Sequence, residues 1–119
     1  MAFRFRKFKV YQDAKLLHRD VVRITNGFQK EHFYLVDQIR RSSLSIILNI
    51  AEGSSKQSDK DFNRFISMSL GSVDETMAIL EVSHDSGIIN SSQLSKFESQ
   101  LEDISNQLGA FSKTLRNKS

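Results

Sequence analysis

The chain has 119 residues, 17 Lys/Arg against 14 Asp/Glu for a net charge of +3, and no cysteine, proline or tryptophan. That length favours a single domain over residues 1–119 with one modest core; the missing cysteine excludes disulfides, thiol catalysis and cysteine-ligated zinc, and the missing proline leaves long helices uninterrupted. No apolar run is longer than that of Met77–Leu80, far short of the roughly 20 residues of a membrane span, and the charged N-terminus lacks a signal-peptide core, so a soluble cytoplasmic protein is expected.

The chain opens on an arm, about residues 1–9, in which Phe3, Phe5, Phe8 and, just beyond it, Tyr11 interleave with Arg4, Arg6, Lys7 and Lys9. Rings that stack on bases beside cations that meet phosphates suit a single-stranded nucleic acid. The same rings could instead pack on the protein or on a neighbouring subunit, leaving the cations solvated. Both readings stand at this point.

Val10, Ala14, Leu17, Val21, Ile24 and Phe28 follow at helical spacing, so a first helix is predicted over about 9–26. Lys15, Arg19 and Arg23 share a row on it, one turn apart, and make a positive face. A second helix, about 31–53, carries the seam Leu35, Ile39, Ser43, Ile46 and Ile50. A third, about 59–86, carries Phe62, Ile66, Ser69, Val73, Met77 and Leu80. The last, about 92–116, carries Leu94, Phe97, Leu101, Ile104, Leu108, Phe111 and Leu115. Gly27, Gly53 and Gly87 each follow a periodic segment and are expected as left-handed helix stops. Ser58 with Asp61 reads as a cap and acidic first turn, whereas Asn90, Ser91 and Ser92 are equally eligible to cap the last helix. Short connections make neighbours antiparallel, and the expected fold is all-α, an up-down-up-down four-helix bundle.

Helices two and three have more apolar residues than one seam uses. Leu44, Ile47, Leu48 and Ala51 lie outside the second helix's seam, and Phe65, Met68, Leu70 and Ile79 outside the third's. Either these two helices are central to one wide core, or they form a self-associating surface, which is the expectation here. Charge is also unevenly spread. Residues 1–31 carry eight Lys/Arg against three Asp/Glu, and residues 58–87 carry two against six.

Reactive motifs fail on inspection. AEGSSKQSDK (51–60) has one glycine and follows a helix, not a strand, so it is no phosphate loop. Its helix C-terminus has the wrong polarity for an anion. A di-metal carboxylate bundle needs two Glu-x-x-His pairs, and only Glu81 with His84 qualifies. No Gly-x-Ser-x-Gly, Ser-x-x-Lys or His-Glu-x-x-His occurs. Ser42, Ser43, Ser45, Ser67, Ser69 and Ser72 are expected to permit close helix approach and to bond back to carbonyls. Arg40, Asn49, Glu52 and Arg64 are the most defensible polar cluster, but nothing in them fixes a reaction. Asn49 must find a hydrogen bond if buried, and Glu52 is expected to pair with Arg40, Arg41 or Arg64 of another helix or subunit.

QIRRSSLSIILNIAEGS (38–54) and KDFNRFISMSLGSVDET (60–76) resemble the four-helix-bundle family encoded in intervening sequences of bacterial 23S ribosomal RNA genes. The likeness rests on Arg40, Arg41, Ser45, Ile46, Asn49, Ile50, Ala51, Glu52, Gly53, Phe62, Arg64, Phe65, Gly71 and Ser72, and it covers nearly the whole chain. Where the family often has Phe-Pro, this chain has Phe28-Gln29. The resemblance implies a closed homopentamer and no established enzymatic activity. A related branch serves as the nucleic-acid-binding accessory protein of diversity-generating retroelements. The expected function is therefore a non-enzymatic oligomer, without cofactor, metal or small-molecule substrate, that contacts RNA or DNA through Arg4, Arg6, Lys7, Lys9, Lys15, Arg19 and Arg23. Its interface or polar network would draw on Arg40, Arg41, Leu44, Ile47, Leu48, Asn49, Ala51, Glu52, Arg64, Phe65 and Met68. The alternative is a protein-interaction scaffold with no nucleic-acid role.

Overall fold

A computed structural model describes residues 2–118; Met1, the first residue of the expected arm, and Ser119 lie outside the described residues. The four periodic segments are four α-helices: α1 (Lys9–Thr25), α2 (Phe33–Ser54), α3 (Asp59–Asp85) and α4 (Ser91–Lys118). Single 3₁₀ turns cover Arg4–Lys7 in the arm and Lys30–His32 before α2. Each helix packs on the next and α1 on α4, which closes an antiparallel bundle of 46 × 23 × 20 Å.

The seams meet in one core. Val10, Ala14, Leu17 and Val21 of α1 are buried against Ile39, Ile46 and Ile50 of α2, Phe62, Ile66, Val73 and Leu80 of α3, and Phe97, Leu101, Ile104, Leu108 and Leu115 of α4. Burying one such side chain stabilises by about 1.5–3 kcal/mol, so these seams hold the fold. The α2–α3 pair is laced with small polar residues. Ser42 Oγ and Thr76 Oγ1 lie 2.8 Å apart, Ser69 Oγ donates to Ile46 O at 2.9 Å, and Ser72 Oγ to Ser45 Oγ at 2.9 Å. Ser42, Ser43 and Ser72 also bond back to carbonyls of their own helix. The expected close approach thus holds for Ser42, Ser45, Ser69 and Ser72, and the bonding back for Ser42, Ser43 and Ser72, whereas Ser67 is exposed.

The expected glycine stops hold at one of three positions. Gly87 alone among the described glycines has a left-handed φ, 77°. Its N–H donates to His84 O at 2.9 Å and Ile88 N–H to Ser83 O at 2.8 Å, a complete Schellman end for α3. Gly53 does not stop α2, which runs on to Ser54. A Cβ there would sit 2.7 Å from Phe65 Cβ and 3.0 Å from a Phe62 ring carbon, so this glycine exists for close packing of α3. Nor does Gly27 end α1 by itself. Arg40 reaches over from α2, donating to Thr25 Oγ1 at 3.0 Å, Asn26 Oδ1 at 2.9 Å and Val22 O at 3.5 Å. A guanidinium at a helix C-terminus satisfies open carbonyls and opposes the helix dipole.

The N-termini of α3 and α4 are capped as the sequence proposes, with one choice resolved. Ser58 Oγ accepts from Asp61 N–H at 3.0 Å. Asn90 is the cap of α4: its Oδ1 accepts from Gln93 N–H at 2.8 Å, while Gln93 Oε1 accepts from Asn90 N–H at 2.9 Å. This reciprocal box predicts that Asn90→Ala destabilises by about 1 kcal/mol, with Asn90→Ser near neutral, as read from urea-unfolding midpoints.

Candidate nucleic-acid interface and association face

The arm folds onto the bundle, and its residues divide by ring. Phe8 lies 5.1 Å from Phe111 and 6.4 Å from Phe62, and Phe62 lies 5.2 Å from Phe111. This cluster pins the arm where α1 begins and α4 nears its end. Phe5 meets Tyr11 edge-on at 4.8 Å. Arg4 Nε donates to Ser54 O at 2.9 Å and the guanidinium covers the Phe62 ring at 5.3 Å, closing the end of α2 as Arg40 closes α1. Phe3 is different. It is 59% exposed and holds φ 60°, ψ 38°, left-handed for a non-glycine residue, a conformation that costs about 1–3 kcal/mol.

The positive row expected on α1 is interrupted by acids. Lys9 Nζ lies 2.6 Å from Asp13 and 3.7 Å from Asp103, and its hydrogen bond with Asp13 raises its pKa. Arg19 and Arg23 flank Asp20 at 3.5 and 4.0 Å, and Lys15 covers the Tyr11 ring at 5.0 Å. A more positive region lies at one end. The antiparallel path gathers there the arm, the start of α1, the α2–α3 turn and the last turns of α4. Lys56, Lys60, Arg64, Lys113 and Arg116 join Arg4, Arg6, Lys7 and Lys9 there, nine of the chain's 17 Lys/Arg, against Asp13, Glu52, Asp59, Asp61 and Asp103, five of its 14 Asp/Glu. The five added cations are not legible as part of it because they come from two segments far from the arm in sequence, 56–64 and 113–116; only the bundle topology unites them.

The apolar surplus splits between the two expected fates. Ile47 and Phe65, expected at an interface, are each 7% exposed and belong to the protomer's own packing. Leu70 and Ile79 also pack against the core. Both corrections have one cause: α2 and α3 pack on each other more extensively than any other pair of helices, so their buried stripe is wider than one seam. Leu44, Leu48 and Met68 remain outside, 40%, 55% and 46% exposed, and Ala51 is half-buried. Of the eight large apolar side chains left exposed among the described residues, six lie on α2 and α3, with Phe33, Tyr34 and Val82 completing the set.

The expected polar cluster does not assemble within the protomer. Arg40 is spent on the end of α1. Arg64 faces Asp61 at 3.7 Å and covers the Phe65 ring at 4.7 Å. Neither Glu52 nor Arg41 has an ion pair among the described residues. Asn49 is half-buried and donates to Ser45 O at 2.9 Å and Ser45 Oγ at 3.0 Å. His84, the remaining half of the lone Glu-x-x-His pair, is bonded to Ser91 Oγ at 3.0 Å at the end of α3.

A histidine–serine contact that spacing along one helix does not predict lies in the α1–α2 groove. His18 Nδ1 and Ser43 Oγ share a hydrogen bond of 2.7 Å, and Ser43 is fully buried, so no substrate reaches its hydroxyl. Burial first, and the Arg40 guanidinium second, hold the His18 pKa below its ordinary 6.5. The folded chain therefore resists protonation that the unfolded chain accepts. His18's contribution to stability is intact above pH 6.5 and is lost as the pH falls from there through the folded value. Asp13, held low chiefly by its hydrogen bond with Lys9, adds a loss only below the carboxylate value of 3.8. Urea midpoints of the wild type should decline in the mildly acidic range, and those of His18→Gln should not.

The family profile described as 23S rRNA-intervening sequence protein matches residues 6–110. Among solved structures, the chain is similar to a crystal structure of a protein of unknown function from the S23 ribosomal protein family of Bacteroides thetaiotaomicron. The two share 26% identity over 89% of this chain and 94% of that one, with a TM-score of 0.63. No curated protein matches the chain.

Proposed function

This chain belongs to the 23S rRNA-intervening sequence protein family, and from that membership we propose that it is a non-enzymatic, self-associating four-helix bundle that holds RNA or DNA by the backbone. The observation that carries this reading is the basic end, where nine Lys/Arg stand against five Asp/Glu in a chain whose net charge is only +3. Cations gathered at one end meet phosphates and release counterions, giving affinity with little sequence preference. The Leu44, Leu48 and Met68 surface of α2 and α3 supports association with further copies, five being the number that the family resemblance implies. Each added copy brings another basic end, so a weak contact is multiplied. We place the protein in the cytoplasm; none of its helices is long and apolar enough to cross a membrane.

Fluorescence anisotropy with a labelled RNA tests the nucleic-acid reading. Affinity should fall by on the order of ten-fold or more between about 50 and about 200 mM salt. Lys7→Glu and Lys113→Glu/Arg116→Glu should weaken binding more than Arg19→Glu, whose site already holds Asp20. Binding that ignores salt, or no binding at the lowest salt, would overturn it. A second reading, a protein-interaction scaffold without a nucleic-acid role, is favoured by Arg4, whose guanidinium is engaged inside the protomer. On that reading, removing residues 1–9 abolishes assembly and no RNA binds at any salt.

A further inference from the structure

We infer that the recess between the arm and the α2–α3 turn accepts an unpaired base, so that the basic end selects single strands over duplexes. The inference rests on the nucleic-acid reading above and adds its substrate class. The recess is a half-open groove of about 870 Å³, lined by Phe3, Arg4, Phe5, Glu52, Lys56 and Asp59 among others. That is ample for a nucleobase and its sugar.

Three observations converge there. First, Phe3 stands exposed at the rim in a left-handed turn that L residues avoid, and its ring adds nothing to the buried core. The ring is held upright by its neighbours: the Arg6 guanidinium covers it at 4.9 Å and Phe5 meets it at 6.2 Å. The series continues through Phe5 to Tyr11 at 4.8 Å and on to Lys15 at 5.0 Å. A pre-positioned exposed ring is a stacking platform.

Second, the recess is electrically balanced although the end around it is positive. Arg4 and Lys56 line it together with Glu52 and Asp59. A phosphate would not choose such a place, but a neutral base would, leaving its phosphates to Arg6, Lys7 and Lys60 outside. Third, the Glu52 and Asp59 carboxylates have no ion-pair or hydrogen-bond partner among the described residues. Carboxylates accept from exocyclic amino groups, as on cytosine, so amino-bearing bases are favoured over uracil. A base in a duplex reaches neither the ring nor the carboxylates.

The test measures affinities of the wild type and of Phe3→Ala, Phe3→Tyr and Glu52→Gln/Asp59→Asn for oligo(C), oligo(U) and a duplex at low salt. Phe3→Ala should weaken both single strands about ten-fold, the loss of one stacked base, and leave duplex binding and thermal stability unchanged. Phe3→Tyr should bind as the wild type does. The double variant should lose the preference for oligo(C) over oligo(U). Equal loss on strands and duplex, or no loss at Phe3→Ala, overturns the inference while salt-sensitive duplex binding leaves the basic-end reading standing. Absence of all binding at low salt overturns both.

Discussion

Gly53→Ala should destabilise the bundle by about 1–2 kcal/mol, while Gly71→Ala should stabilise it by about 0.5–1 kcal/mol. Both glycines lie inside helices, where alanine is intrinsically better by about 1 kcal/mol. The sign is set by what the new methyl meets. At Gly71 nothing lies within 4 Å, so only the gain in helix propensity remains. At Gly53 the methyl would sit 2.7 Å from Phe65 Cβ, an atom fixed to the α3 backbone, so that the helices themselves must separate. Overpacking of this kind costs about 1–3 kcal/mol, and Gly53→Val, with two further carbons, should cost about 3 kcal/mol or more. Phe62, the other neighbour, also packs with Phe8 and Phe111, so the damage should spread to the arm. Midpoints from urea unfolding read all three variants. A neutral or stabilising Gly53→Ala would contradict the close α2–α3 approach.

The second large effect concerns assembly. Leu44→Glu/Leu48→Glu/Met68→Glu should reduce the proposed oligomer to a 13.6 kDa monomer with unchanged helicity and near-unchanged stability. These side chains are 40–55% exposed in the protomer, so covering what remains is worth about 1 kcal/mol each in every interface. Three carboxylates in their place add desolvation and like-charge repulsion. The combined loss exceeds several kcal/mol per contact, on the order of a thousand-fold in association. Leu16→Glu on α1, 44% exposed and alone on its helix, is the matched control and should leave assembly intact. An oligomer that survives the triple change would move the association surface elsewhere.

How much of this was legible in the sequence depended on range. The four helices and their seams were, because periodicity is local and Val10 to Val21 or Phe97 to Leu108 repeat it without interruption. The Ser58 cap was legible for the same reason. Gly53 was misread because glycine after a periodic run signals a stop equally as well as a close contact. Only the neighbouring helix tells the two apart. Ile47 and Phe65 are not legible as core because a single seam underestimates the buried stripe of the two helices that pack most extensively on each other. The Arg40 bonds to the end of α1 and the His18–Ser43 pair depend on how two helices are rotated against each other, which spacing along one helix does not encode. The basic end depended on topology. Residues 4–9, 56–64 and 113–116 are unremarkable as separate windows and become a cluster only when antiparallel helices bring them level.

The central claim is that copies of this bundle join through α2 and α3 and present basic ends to nucleic acid. Light scattering behind size exclusion, with and without a short RNA at low and high salt, tests it most directly. The account predicts a protein oligomer whose mass is the same at both salts and rises with RNA only at low salt. A 13.6 kDa monomer under every condition would contradict it.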